Sequence, residues 1–186
     1  MQPTDIRGLN RTSLPNVNQI GILVPSIPEA VVYYAKLLNI GHWYRSNTVK
    51  HEATYRGKPI STDADIVLAF QGALEIELIQ VNHKDECVYS DMLKKSGGGI
   101  HHLGFTVSGY DKKLDQMKRN GVEVLQSGAI TTKGSAITRY VYLDTIKQCG
   151  IISELIVTTL KGLRMPHGKL IMEIGCLTGD VERVKV

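Results

Sequence analysis

The sequence predicts an α+β fold of two paired βαβββ modules whose strands form a curved, mostly antiparallel sheet. Three observations carry this reading. A strand, helix, strand order occurs twice along the chain; each copy runs on into two more extended segments; and each copy places a ligand-type side chain early in its first strand and a glutamate in its last.

The first copy opens on Asn18-Gln19-Ile20-Gly21-Ile22-Leu23-Val24. Residues 27–38 follow with Ile27, Val31, Tyr34 and Leu38 at helical spacing, and Pro28 sits early, where a helix tolerates it. Ile40-Gly41-His42-Trp43-Tyr44 reads as the next strand, and 65–70 and 73–81 as two more joined by a tight turn at Gln71-Gly72. The second copy opens on His101-His102-Leu103-Gly104-Phe105-Thr106-Val107. Its helix covers 110–120, with Leu114 and Met117 on one face and Asn120-Gly121 as a stop. Gly121-Val122-Glu123-Val124-Leu125, then 136–143 and 150–157, complete it. The expected divisions are an N-terminal arm at 1–16, the first module at 17–96, the second at 97–157 and a C-terminal extension at 158–186. Within the extension, 169–174 is expected as an extra strand and 183–186 as solvated chain.

Composition narrows the function classes. A chain of 186 residues, 42% hydrophobic and 22% charged, has material for a real core. No apolar run is long enough to cross a bilayer, and the first ten residues lack the pattern of a secretion signal, so a cytoplasmic location and no membrane partner are expected. Cys87, Cys149 and Cys176 are odd in number and carry no CxxC spacing, which predicts free thiols. The formal charge of +4 is spread along the chain without a basic, aromatic-interleaved run, which argues against a nucleic-acid partner.

Strand parity then decides which side chains can meet, since residues two apart share a face. Gln19, Gly21 and Leu23 share one face, against apolar Ile20, Ile22 and Val24. His102, Gly104 and Thr106 do the same, against Leu103, Phe105 and Val107. The apolar sets should lie under the helices, and the glycines should leave room above the sheet for a substrate. Gln19 to Glu77 spans 58 residues and His102 to Glu154 spans 52, so the two pairs are nearly equivalent by repeat. Each has a plain structural reading: a polar strand end for Gln19, one exposed and one packed ring for the His pair, and solvent-facing positions for Glu154 and Glu77, the last suggested by Glu75 beside it. Matched positions in a duplicated module favour a metal site formed by Gln19, Glu77, His102 and Glu154. One imidazole, one amide oxygen and two carboxylates would leave two octahedral positions open and suit Zn, Co, Ni or Mn.

The other candidates read as structural. His42, His51, His83 and His167 are expected on the surface or in loops, Arg45, Lys50, Arg56 and Lys58 as solvated loop charges, and Gly97-Gly98-Gly99 as a flexible joint between the modules.

At these residues the chain, over 17–157, resembles the vicinal oxygen chelate superfamily, whose members pair βαβββ modules around a divalent metal. Gly98-Gly99-Ile100-His101-His102-Leu103, Cys149-Gly150-Ile151-Ile152-Ser153-Glu154-Leu155 and Gly21-Ile22-Leu23-Val24-Pro25 are most similar to methylmalonyl-CoA epimerases. The resemblance implies metal binding by His102 and Glu154 with Glu77 or its neighbourhood as a further ligand, a catalytic role for Glu154, and a small carbonyl or thioester substrate; Glu77 is the other expected catalytic residue, and a homodimer is expected. Glu75, Glu77 and Glu52 stay open as the second base. One departure is clear: epimerases of this type carry histidine where this chain has Gln19, and a Gln, Glu, His, Glu order is similar to glyoxalase I enzymes. The expected activity is therefore a metal-dependent epimerase or isomerase that removes a proton next to a carbonyl. The alternatives are a lactoylglutathione lyase and a non-catalytic small-molecule-binding protein of the same fold. Extradiol dioxygenase chemistry fits less well, needing two histidines where only His102 is well placed.

Overall fold

The structure is a computed structural model and describes residues 13–82 and 86–185. His83 and most of the expected N-terminal arm lie outside the described residues. In chain order the elements are β1 (Gln19–Leu23), α1 (Ile27–Leu37), β2 (Trp43–Ser46), β3 (Thr48–Tyr55), β4 (Lys58–Ile60), β5 (Ala64–Gln71), β6 (Leu74–Val81) and α2 (Ser90–Ser96). They continue with β7 (Gly99–Thr106), α3 (Tyr110–Arg119), β8 (Val124–Thr132), β9 (Ala136–Leu143), α4 (Ile146–Cys149), β10 (Ile152–Leu160), β11 (Leu163–Arg164), α5 (Lys169–Thr178) and β12 (Val181–Val184).

The strands form one curved sheet in the order β12-β2-β5-β6-β1-β7-β10-β9-β8-β3-β4, with β11 beside β10. Within it the runs β2-β5-β6-β1 and β8-β9-β10-β7 repeat one another outward from the antiparallel seam of β1 and β7. The β1–β6 and β7–β10 ladders are parallel, and the other described ladders are antiparallel. The expected mixed architecture is therefore present, joined within a single chain.

Alternation along the strands builds two cores on the outer face. Ile22, Val24, Val67, Ala69, Ile76 and Leu78 pack with Trp43 under Ile27 and Val31 of α1. Phe105, Val107, Val141, Leu143 and Leu155 pack under Tyr110 and Met117 of α3. Each large apolar side chain buried in this way stabilises the fold by roughly 1.5–3 kcal/mol, so the strand faces predicted as apolar are pinned outward. The polar faces of the same strands must then point to the concave side.

Three expectations change. The stretch holding Lys50, Arg56 and Lys58 is a hairpin, β3 and β4, whose β3 pairs with β8. Its Arg56-Gly57 turn has φ of +48° and +78°. Lys50 is exposed and ion-paired to Glu52 at 2.9 Å. Residues 169–174 belong to helix α5 rather than a strand, because Ile171, Met172 and Gly175 recur at helical spacing toward the sheet and Gly179, at φ +83°, stops the helix. The end of the chain is not simply solvated. Val181–Val184 forms β12 on β2, although Arg183 is exposed and ion-paired to Glu173. Cys87, Cys149 and Cys176 are free, as expected.

Candidate metal centre

Two rows of residues cross the middle of the sheet on its concave side. Glu77, Gly21 and His102 lie side by side on β6, β1 and β7. In the neighbouring row Glu75, Gln19, Gly104 and Glu154 lie on β6, β1, β7 and β10. Each glycine clears space for the side chain opposite: a Cβ on Gly21 would fall 1.8 Å from His102 Cε1, and one on Gly104 would fall 2.3 Å from Gln19 Oε1. The space expected for substrate above these glycines is thus filled by the ligand-type side chains themselves.

The result is a tight convergence on one ring nitrogen. His102 Nε2 lies 3.0 Å from Glu154 Oε2, 3.3 Å from Glu77 Oε2 and 3.2 Å from Gln19 Oε1. A ring nitrogen carries at most one proton, so it cannot satisfy three acceptors, and Glu77 Oε2 and Glu154 Oε2 are buried without a hydrogen bond. Gathered oxygens with too few protons are the donor set of a cation. Glu77, His102 and Glu154 offer ligand atoms all within 4.8 Å of one another, and the four predicted residues do come together.

Burial explains the electrostatics. Glu75, Glu77 and Glu154 are 4%, 8% and 4% exposed, so the solvent-facing reading of these strand positions does not hold. Burial opposes charge on His102, but Glu154 and Glu77 outweigh it and lift its pKa to about 10. Burial raises Glu154 against the pull of His102. It also pushes Glu75 up to about 8, opposed by the Gln19 amide and reinforced by the charges of Glu77 and Glu154. Gln19 Nε2 donates to Glu75 Oε1 at 2.7 Å, which turns the Gln19 oxygen toward His102.

Sequence reasoning missed two participants, His101 and His167, and placed a third, Glu75, only as an open candidate for the second base. His101 is buried behind His102, the two Nδ1 atoms 3.1 Å apart, and burial with the neighbouring imidazole lowers its pKa to about 3. Such a ring fixes the orientation of its neighbour. Glu75 lies beside the set rather than on an exposed face. His167, read as a surface or loop residue, lies near Glu75, its Nδ1 3.9 Å from Glu75 Oε2 and 3.4 Å from Thr106 Oγ1. His51 is half-buried on β3, outside any loop, and its Nε2 meets the Tyr140 hydroxyl at 2.8 Å. Glu52, by contrast, is exposed on β3 and stays outside the set.

The convergence identifies a class, and comparison with known proteins places the chain in it. Residues 18–142 match the Glyoxalase/Bleomycin resistance protein/Dioxygenase superfamily, and the chain belongs to that superfamily. Among solved structures it is similar to methylmalonyl-CoA epimerase from Mycobacterium tuberculosis, at 20% identity and a TM-score of 0.56 over 78% of this chain and 89% of that one. A Streptomyces coelicolor methylmalonyl-CoA epimerase variant in complex with 2-nitronate-propionyl-CoA gives 19% and 0.56, over 77% and 97%. A hypothetical protein from Bacillus halodurans C-125 gives 18% and 0.59, over 83% and 97%. At these identities the likeness is one of fold. The curated proteins give no match. The family match ends before Glu154 and before β11, α5 and β12.

Proposed function

We propose that the protein is a divalent-metal-dependent isomerase of the epimerase type, removing a proton from carbon next to a carbonyl. The observation that carries this reading is the crowding of Gln19, Glu77 and Glu154 oxygens around His102 Nε2. These four residues would hold the ion, with Zn, Co, Ni or Mn as the expected metals. The ion supplies Lewis-acid stabilisation of the negative charge that develops on the substrate oxygens.

The remaining work falls to the protein. Glu154 is the first candidate proton carrier, by resemblance, and Glu77 the second catalytic carboxylate. Glu75 lines a cavity with Gln19 and Glu77 without belonging to the tight set, and burial keeps its carboxyl protonated near neutral pH, where a proton carrier is most effective. Apolar Ile66, Leu68 and Ile156 line the cavity and keep bulk water from the reacting carbon.

Gln19 in the set favours a second reading, lactoylglutathione lyase, tested by turnover of methylglyoxal with glutathione. A homodimer stays part of the proposal, supported by the exposed apolar residues Leu170, Ile174 and Leu177 on α5. The deciding experiment is elemental analysis of the purified protein beside a His102→Ala, Glu154→Ala double variant. It is followed by deuterium exchange at the α-carbon of methylmalonyl-CoA and of small carbonyl acids. Near-stoichiometric metal lost in the variant, with exchange in the wild type, is the expected result. No metal in either after divalent ions are added back overturns the enzyme reading and leaves a protein that binds small molecules.

A further inference from the structure

The segment 163–184 runs over the open concave side of the sheet and becomes part of the site. Met165, Pro166, His167, Ile171 and Met172 form one side of a cavity of about 120 Å³ whose floor includes Gln19, Glu75, Glu77 and Thr106. A second cavity of about 110 Å³ adjoins it under α5, sharing Leu68, Thr138, Thr158, Met165, Ile171 and Met172 and continuing to Ile174 and Val181. Among the described residues no lysine or arginine lines either cavity, and His167 shares the first with the carboxylates of Glu75 and Glu77.

This covering is tied down at several points. β12 pairs with β2 over four residues. The Asn47 amide N–H donates to the Asp180 carbonyl at 2.9 Å and its side chain to the Gly179 carbonyl at 3.1 Å. The Tyr44 hydroxyl donates to Glu173 at 2.5 Å, and the Met165 amide to the Thr158 carbonyl at 2.8 Å. The Asp180 carboxylate accepts from the Thr132 hydroxyl and from the Ala136 amide at 3.0 Å. His167 stands against the floor, its ring edge-on to Phe70 with centroids 5.4 Å apart.

We infer that the segment 163–184 is a fixed wall that limits the substrate to a short-chain carbonyl acid free of coenzyme A, with Met172 setting chain length and His167 a polar contact to the acid. This rests on the proposed function and names its substrate class. A cavity of about 150 Å³ holds benzene, so the first chamber admits about six non-hydrogen atoms. The head of such a compound fits beside Gln19 and Glu77, and its hydrocarbon end fits between Leu68 and Met172. A coenzyme A thioester carries a long arm and a nucleotide, far more than the two chambers of about 120 and 110 Å³ hold, and that arm would have to pass through the wall.

The test uses the full chain with and without Mn²⁺, and ligand-observed saturation-transfer NMR with pyruvate, 2-oxopentanoate, 2-oxooctanoate and methylmalonyl-CoA. The wild type is expected to bind the two shorter acids, to bind 2-oxooctanoate at least about tenfold more weakly, and to show no methylmalonyl-CoA binding. Met172→Ala should recover 2-oxooctanoate binding by about tenfold at unchanged Mn²⁺ stoichiometry, and His167→Ala should weaken all the short acids without altering the chain-length order. Met165→Ala replaces Met172→Ala if the latter does not fold. Methylmalonyl-CoA bound as tightly as the short acids, a chain-length profile unmoved in the folded methionine variant, or no binding by any probe overturns the inference. Failure to take up Mn²⁺ while the chain-length profile persists sinks the metal-dependent reading alone.

Discussion

Gly21 on β1 and His102 on β7 face each other across the seam between the two halves, and the imidazole occupies the volume a Gly21 methyl would need. The halves are therefore reciprocal: the glycine of the first accommodates the histidine of the second, and Gly104 of the second accommodates Gln19 of the first.

Gly21→Ala should consequently damage the site more than Gly104→Ala. The Gly21 methyl would fall 1.8 Å from a fully buried ring, whereas the Gly104 methyl would fall 2.3 Å from Gln19 Oε1, which a rotamer change relieves, and 2.8 Å from Gln19 Cβ, which a small backbone shift must relieve. Overpacking costs of about 1–3 kcal/mol are expected for Gly21→Ala, together with loss of metal. Urea unfolding and elemental analysis of both variants check the order, and equal effects would count against it.

His101→Leu comes close to the volume of the buried imidazole but removes the nitrogen that lies 3.1 Å from His102 Nδ1. Metal affinity should fall about 10–100-fold while the thermal midpoint of the metal-free protein changes little. Titration against a competing chelator measures this, and an unchanged affinity would show that His101 is a packing residue only.

Glu75 gives the metal-free protein a pH signature. Its carboxyl titrates near 4.5 when unfolded and near 8 in the fold, so between those values the unfolded chain has lost a proton that the folded chain keeps. This contribution is fully present below pH 4.5 and is lost as pH rises toward 8, by up to about 1.4 kcal/mol per pH unit. Glu75→Gln keeps an acceptor for the Gln19 amide but cannot ionise. The variant should gain stability relative to wild type as pH goes from 5.5 to 8, by up to a few kcal/mol. Urea titrations at both values should show this, and a pH-independent difference would contradict it.

Asp180→Ala tests the anchoring of the C-terminal segment. It leaves the Ala136 amide and the Thr132 hydroxyl short of a buried acceptor, at a cost of roughly 2–5 kcal/mol. Hydrogen exchange should quicken first in α5, β12 and the β8–β9 turn, with α1 and α3 protected as before. Uniform loss of protection would show instead that the segment unfolds with the whole domain.

The sheet and the four converging side chains were legible because both follow from periodicity. Apolar alternation fixed which faces lie under α1 and α3, and the repeat then forced Gln19, Glu77, His102 and Glu154 onto the opposite face. Glu75 was misjudged because two nearby glutamates on one strand face usually mean solvent, and only the wall of distant residues 165–172 makes that face interior. The same wall hid His167. Residues 48–60 looked like a charged loop because the hairpin of β3 and the edge strand β4 joins the sheet through β8, a partner some eighty positions on, and strands at a sheet edge keep polar side chains. Residues 169–174 are short and apolar, so periodicity alone could not separate helix from strand; Gly175 and Gly179 carried the deciding signal.

The pairing of Val181 with Ser46 has a consequence for the order of folding. β2 can join β5 as soon as the first half has emerged, yet its other edge must wait for a strand made after the entire second half. Until then its backbone donors and acceptors stand open beside a chamber that lacks its last side. An ion held as proposed would therefore meet the gathered carboxylates through a wide mouth early in the life of the chain and through a narrow one afterwards. Loading and exchange of the ion should accordingly differ in rate even where affinity is the same.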